Sequence, residues 1–279
     1  MRHRTMATLP PSVWPLRRSL LGATAFTLLA PWRSARAAGD ASEGDPLGST
    51  QWPDVKQSFI GAGGNVRFSE RVLVKGPAFA DDAMNVPVMV DARALAQAGV
   101  PVARIRVVAD RNPVRHVLDF EPLRALPVLA FRLRLEQASP VRALVQTQDG
   151  QWHVGGTWVQ AAGGGCTVPG VTRADGSWSQ TLNQVQARFF NNVIDHSRRL
   201  RVRVMHPMDT GLVAGIPAFH LEQLALLDAA GEPWWRLALH EPVSENPLIT
   251  FELPRQITGT LRLVGRDNNG NRIDAVVPS

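Results

Sequence analysis

Cys166 is the only cysteine among the 279 residues of this chain. It follows three glycines, Gly163, Gly164 and Gly165, and Pro169 comes three residues after it. Glycine leaves the backbone dihedral angles unrestricted, and proline discourages a helix or strand beyond it. A free cysteine is often a small buried apolar residue, but this composition is not typical of a core strand. We therefore predict a solvent-accessible thiol at the end of a flexible glycine arm, suited to covalent attachment through sulfur.

A copper centre is the first alternative chemistry for this thiol, since blue-copper sites combine two His, one Cys and an axial Met. The spacing argues against it, because His153 lies well before Cys166 and the next histidine, His196, follows a long polar stretch. The cluster His206-Pro207-Met208-Asp209 directly follows a predicted strand and is typical of a turn. We predict neither a metal site nor a cofactor.

Nucleophilic catalysis is the second alternative, and it requires a base and an oxyanion hole held on a rigid frame. A glycine arm supplies neither, although the fold could bring His196 or His220 close. The sequence also contains no C-x-x-C, Walker or H-E-x-x-H motif. We therefore predict no catalytic residue and no enzymatic activity.

Residues 1–38 are typical of an export signal. Arg17-Arg18 precedes an apolar stretch at 20–30, and Ala35-Arg36-Ala37 is a small-residue cleavage pattern. The paired arginines resemble a twin-arginine signal. The apolar stretch is too short to span a bilayer, so we expect cleavage near Ala37 or Ala38, a mature chain without a membrane span, and a periplasmic location.

Removal of this segment changes the charge balance. The whole chain has a formal charge of +6, and residues 1–38 hold six arginines and no acidic residue, which leaves 24 basic against 24 acidic side chains. A neutral mature chain gives no support to binding of nucleic acid or anionic membranes. With one cysteine it also has no internal disulfide.

Apolar and polar residues alternate in both halves of the mature chain, as expected of half-buried strands. Leu200, Val202 and Val204, for example, alternate with arginines, and we interpret such arginines as solvated. Only 92–98 has helical composition. The pattern predicts an all-β fold of two immunoglobulin-like antiparallel sandwiches, associated through an apolar interface and joined by the Gly-rich cysteine-bearing segment. The predicted divisions are a signal at 1–38, a flexible lead at 39–50, a first sandwich at 51–162, the cysteine arm and linker at 163–184, and a second sandwich at 185–279.

Two series of short motifs resemble the sulfur-carrier SoxYZ proteins, and specifically the fused form associated with quinoprotein dehydrogenases. The motifs similar to the SoxY carrier domain are Arg111-Asn112-Pro113, Arg132-Leu133-Arg134-Leu135, Val141-Arg142-Ala143, Thr147-Gln148-Asp149-Gly150 and Gly164-Gly165-Cys166. The motifs similar to the SoxZ partner domain are His206-Pro207-Met208-Asp209-Thr210-Gly211, Ile216-Pro217-Ala218, Ser244-Glu245-Asn246-Pro247 and Arg266-Asp267-Asn268-Asn269-Gly270. The two series occur in the order of the two domains.

The resemblance implies a non-catalytic periplasmic carrier that holds a sulfur intermediate covalently on Cys166 and presents it to partner enzymes. In that family the cysteine lies in a C-terminal Gly-Gly-Cys-Gly-Gly tail, whereas Cys166 is followed by Thr167 and a second domain. The implied partners are periplasmic sulfur-oxidising enzymes or a quinoprotein dehydrogenase system. The alternative is a docking or chaperone module for a periplasmic quinoprotein dehydrogenase, with the thiol incidental.

Overall fold

A computed structural model describes residues 43–191 and 197–278 of the chain. The four helices in this part are all short: α1 (Trp52–Phe59), α2 (Arg93–Gln97), α3 (Val171–Asp175) and α4 (Trp178–Thr181). The strands of the first half are β1 (Val66–Phe68), β2 (Leu73–Lys75), β3 (Phe79–Ala80), β4 (Val86–Asp91), β5 (Val102–Ala109), β6 (His116–Glu121), β7 (Val128–Leu133), β8 (Ser139–Thr147) and β9 (Trp152–Ala161). Those of the second half are β10 (Val185–Asn191), β11 (Arg198–Val204), β12 (Leu221–Leu227), β13 (Pro233–Leu239), β14 (Leu248–Leu253), β15 (Leu261–Asp267) and β16 (Arg272–Val277). The predicted all-β class is confirmed.

Strand β11 illustrates how alternation produces these sheets. Leu200, Val202 and Val204 are buried, while the arginines between them point away from the core. Successive side chains of a strand point to opposite faces, so one face of β11 packs and the other meets solvent. The strand pairs antiparallel with β10 on one side and β14 on the other.

The strands form two sheets, and each sheet runs through both halves of the chain. The larger has the order β1-β9-β8-β5-β6-β13-β12-β15-β16, with β3 also on β9, and the smaller has the order β10-β11-β14-β7-β4-β2. The halves meet where β6 pairs with β13 and where β7 pairs with β14, with Leu237 opposite Phe120 and Phe251 opposite Leu129. Backbone hydrogen bonds therefore join the halves independently of the segment around Cys166.

The apolar interface predicted between the halves lies between these two sheets. Trp235 and Phe251 stack with ring centroids 4.0 Å apart, and Phe120 lies 5.6 Å from Phe251. All three side chains are buried and belong to a core that includes residues of both halves. The halves thus share a core as well as their sheets.

Residues 43–50, the described part of the predicted flexible lead, are anchored to the first half. Asp45 and Ser49 are buried, and the carbonyl of Leu47 accepts a hydrogen bond from Trp158 Nε1 at 2.7 Å. The prediction of flexibility is therefore wrong for these residues, because a Gly- and Asp-rich composition does not reveal that Asp45 has a buried partner. The sequence prediction also missed α1, whose Trp52 packs in a second small core.

That partner is Arg142, an arginine of β8 that is almost fully buried. Its guanidinium donates to Asp45 at 2.6 and 2.7 Å and to Asp110 at 2.9 Å, and it lies 4.7 Å from the centroid of Trp52. Burial acts to raise the pKa of Asp45, but the bonds and charge of Arg142, together with the N–H groups of Ser49 and Leu47, outweigh it and lower that pKa. The interpretation of the arginines as solvated is wrong here, because two buried carboxylates compensate the charge.

Replacement of Arg142 should strongly destabilise the fold. Arg142→Met leaves two buried carboxylates without a cation, and we expect the free energy of unfolding at pH 7 to fall by about 3–5 kcal/mol in urea titrations. The deficit should shrink as the pH falls, because protonation removes the uncompensated charges. Arg262→Met is the matched control, since Arg262 pairs with Asp274 on the exposed surface, and its effect should be too small to resolve. Equal effects of the two substitutions would contradict this account.

The export signal at 1–38, with Arg17-Arg18 and the cleavage motif, lies outside the described residues, as does His196. Among the helices of the described part, none is long and apolar enough to cross a membrane.

Candidate functional site: the cysteine segment

The cysteine segment, residues 163–173, leaves the end of β9 and runs beside the residues that follow β7. Gly163 and Gly164 have φ angles of +98° and +75°, in the region that favours glycine. The segment is then held by two backbone hydrogen bonds, from Gly164 N to Glu136 O at 2.9 Å and from Gly165 N to Leu135 O at 3.0 Å. The glycines thus form a bonded turn rather than an arm extended into solvent.

Gly165 is required by close packing. A Cβ atom at this position would lie 2.2 Å from the carbonyl oxygen of Ala83 and 2.6 Å from that of Leu135. These carbonyls cannot easily move, since Leu135 N donates to Ala83 O at 2.8 Å. The prediction of Gly163, Gly164 and Gly165 as a flexible arm is therefore not met in this conformation, because the absence of a side chain lets the segment dock.

Cys166 itself is buried, with 1 % of its surface exposed. Its Sγ lies 3.8 Å from the carbonyl oxygen of Arg134, its N–H donates to Glu136 Oε2 at 3.1 Å, and its carbonyl accepts from Thr210 Oγ1 at 2.6 Å. The prediction of a solvent-accessible thiol is wrong for this conformation. The cause is tertiary: residues from both halves close over a segment that has no bulk of its own.

Burial raises the pKa of the Cys166 thiol from 9.0 to about 12, and the neighbouring Glu136 carboxylate acts in the same direction. Arg134 acts in the opposite direction but does not compensate. Because the thiolate is the reactive form of cysteine, the docked thiol is chemically protected. Any reaction at Sγ requires the segment to move out.

The second half of the chain holds the far end of the segment. Glu245 accepts hydrogen bonds from the N–H groups of Val171 and Thr172, both at 2.7 Å. Arg173 forms an ion pair with Asp209, with Nε 2.8 Å from Oδ2. Glu245 lies in the SoxZ-like motif 244–247, and Asp209 and Thr210 lie in the motif 206–211. The sequence therefore indicated the correct loops without revealing that they close over the thiol.

Arg134 is the most unusual charged group beside the thiol. It is 1 % exposed, and its guanidinium donates to the carbonyls of Val168 at 3.2 Å and Pro207 at 3.4 Å. Its buried Nε has no hydrogen-bond partner, and within the described chain no carboxylate lies within ion-pair distance of it. Burial lowers its pKa, against the opposing effect of Glu245. From its alternation with apolar residues we interpreted this arginine as solvated. That interpretation is wrong, because the second half of the chain covers it.

The histidines considered in the sequence are His153, His196, His206 and His220, of which His196 lies outside the described residues. In the described residues no histidine is hydrogen-bonded to Cys166, and no group of three His, Cys, Asp or Glu side chains has the arrangement of a metal site. His206 Nδ1 accepts the N–H of Met208 at 3.1 Å, and burial lowers the pKa of His206 to about 4. His206 therefore stabilises its turn, as predicted for the cluster at 206–209.

Comparison with known proteins agrees with this two-part organisation. The family model described as sulfur oxidation protein SoxY matches residues 56–166, and the model described as sulphur oxidation protein SoxZ matches residues 192–278. The first match ends at Cys166, and together the two cover most of the chain.

A comparison with solved structures found the sulfur carrier protein SoxY from Chlorobium limicola f thiosulfatophilum. It is 20 % identical, the match covers 40 % of this chain and 97 % of that chain, and the TM-score is 0.35. No match was found among curated proteins. Residues 56–166 therefore belong to the SoxY family and residues 192–278 to the SoxZ family of sulfur oxidation proteins, so this chain is a SoxYZ-type sulfur oxidation protein with both parts in one polypeptide.

Proposed function

We propose that this protein is a periplasmic carrier that holds a sulfur intermediate covalently on Cys166 and presents it to partner enzymes. The observation that carries the proposal is the position of the only cysteine. It ends the SoxY match and lies on a glycine segment held largely by hydrogen bonds and one ion pair at its far end. Such contacts can be exchanged for water at modest cost, so a partner can release the segment without unfolding either sheet.

Loading replaces the S–H bond of Cys166 by an S–S bond to the cargo. With thiosulfate as the cargo, the sulfur of Cys166 and the sulfane sulfur form the new S–S bond and leave Cys166 as the S–S–SO3⁻ adduct. The thiol proton goes to solvent, and the two electrons released go to a redox-active metal cofactor of the partner enzyme. In this scheme the chain supplies the nucleophile and its protection. Docking keeps the unloaded thiol protonated, and opening restores an ordinary thiol pKa.

The alternative function is a non-catalytic docking or chaperone module for a periplasmic quinoprotein dehydrogenase, with the thiol incidental. The burial of Cys166 favours it, because a buried cysteine also serves as a small apolar residue.

Replacement of the thiol separates these two functions. Cys166→Ser changes one atom of a small side chain, so a carrier should lose all pathway activity while a docking module should keep nearly all of it. Protein isolated from its native periplasm during turnover should also carry a reducible mass increment on Cys166, as sulfane sulfur, a sulfonate bound through sulfur, or a mixed disulfide. A consistently unmodified thiol under turnover would contradict the carrier proposal.

The proposed location depends on export directed by residues 1–38. N-terminal sequencing of the native protein should find Ala38 or a close neighbour first. Recovery of the full-length chain from the cytoplasm under native expression would contradict it.

A further inference from the structure

The outer face of the smaller sheet carries a group of exposed arginines. Arg188 of β10 lies directly opposite Arg201 of β11, and Arg203 lies two residues further along the same face. Arg132 extends the group on β7, which belongs to the same sheet. We call these four arginines and the partly exposed Phe190 the arginine face.

The positive charge of the arginine face is not compensated by ion pairs. Within residues 43–191 and 197–278, none of its four arginines forms an ion pair, whereas Arg199 on the same face is paired with Glu252. Like charges directly opposite each other in a sheet are destabilising. Arg188 and Arg201 instead contact Phe190, at 5.2 and 5.4 Å from its ring centroid. Because residues 39–279 are formally neutral, this face is a local excess of positive charge.

A groove of about 850 Å³ connects the arginine face with the far end of the cysteine segment. Its lining includes the four arginines together with Val171 and Thr172. The two acidic residues of the groove, Asp82 and Glu245, each accept N–H groups of neighbouring residues. Four arginines against two carboxylates leave a positive groove, bordered by Val171, which is 71 % exposed.

We infer that the arginine face is the docking surface for an acidic surface of the partner protein that loads or unloads Cys166, an inference that rests on the proposed carrier function. The groove is far larger than a single oxoanion, and its combination of arginine with exposed aromatic and apolar side chains is that of a protein interface. A positive face attracts an acidic partner and speeds its association. A partner in this groove also contacts Val171, whose N–H is one of those that hold the cysteine segment. The docking surface therefore lies next to the contacts that must break when the segment is released.

The test combines charge reversal on the arginine face with a matched control. Arg201→Glu with Arg203→Glu removes the positive excess and places an acid opposite Arg188. The control, Arg262→Glu with Arg266→Glu, makes the same charge change on β15 of the other sheet. In cells whose wild-type protein is loaded, we expect the loaded fraction of Cys166 in the first variant to fall about tenfold or more, with the control unchanged. The variant Arg201→Gln with Arg203→Gln should give an intermediate loss.

A second measurement identifies the bound surface directly. Phe190→p-benzoylphenylalanine should photo-crosslink in the periplasm to a peptide rich in Asp and Glu, and charge reversal should abolish the crosslink. Equal loading of wild type, charge-reversal variant and control would overturn the docking inference and leave the carrier function intact. A crosslink to a basic peptide or to no protein would also overturn it. If Cys166 of the wild-type protein is never loaded, the carrier function is contradicted instead. The crosslink alone would then show whether the arginine face binds an acidic protein.

Discussion

Alkylation of Cys166 in the folded protein should be at least about a thousandfold slower at pH 7 than alkylation of the same thiol in the unfolded chain. A thiol of pKa about 12 has roughly 10⁻⁵ of its population as thiolate at that pH, against roughly 10⁻² for a pKa near 9. The buried Sγ also has almost no surface that a reagent can reach. The measurement is the rate of iodoacetamide labelling, followed by intact mass, in buffer and in guanidinium chloride. Equal rates in the two conditions would contradict a docked thiol.

The pH dependence of that rate follows from the same shift. The raised pKa means that docking keeps its full stability below about pH 9 and loses it as the pH rises from about 9 towards 12, at roughly 1.4 kcal/mol per pH unit. In the unfolded chain, the labelling rate should stop rising once the pH exceeds the ordinary pKa of the thiol. The folded protein should continue to accelerate past pH 9, because deprotonation then favours the open segment. A plateau just above pH 9 in the folded protein, as in the unfolded chain, would mean that the thiol is already exposed.

Gly165→Ala should remove this protection and raise the labelling rate at pH 7 by a factor on the order of 10² to 10³, towards that of the unfolded chain. The new Cβ would lie 2.2 Å from one backbone carbonyl and 2.6 Å from another. Neither carbonyl belongs to a flexible side chain, so the segment must leave its site. Both sheets should be retained, since none of their strands includes Gly165.

Gly164→Ala is the matched control for this prediction. Gly164 has a φ of +75° but open space where a Cβ would be placed, so alanine there introduces backbone strain of roughly 1 kcal/mol without a clash. Labelling should then increase only a few-fold. If both substitutions expose the thiol equally, backbone strain rather than close packing governs docking. If Gly165→Ala remains protected, the described docking geometry is wrong.

Both halves of the chain take part in hiding the thiol. The contacts that hide Cys166 come from Glu136 on the first half and from Thr210 and Glu245 on the second. Residues of the second half therefore cover the thiol in this conformation, and in the proposed carrier they would close over the segment whenever a partner does not hold it open. Burial of this kind protects an unpaired thiol from oxidation, since susceptibility follows thiolate character and exposure.

Local sequence determined much of the fold of this protein. Alternation at 200–204 placed β11 and its buried face correctly, because the pleat of a strand imposes a period of two whatever lies beyond it. The helix at 92–98 was also predicted, and α2 occupies 93–97. Helix α1 was not predicted, because only two of its eight residues, Trp52 and Val55, are buried, and they pack in a small core. The single cysteine, its glycines and the order of the two motif series were likewise visible in the sequence alone.

Only the tertiary structure decided which of these features are buried. Arg134 alternates with apolar residues just as the exposed Arg132 does, and the two differ because residues from distant parts of the chain cover Arg134. The same holds for Cys166. Glycine permits both a mobile arm and an unusually close approach of two backbones. Which of the two occurs at Gly165 depends on the carbonyl groups of Ala83 and Leu135, which lie far from Gly165 in sequence. Sequence composition therefore identified the thiol, whereas its docking depends on long-range contacts that no local pattern encodes.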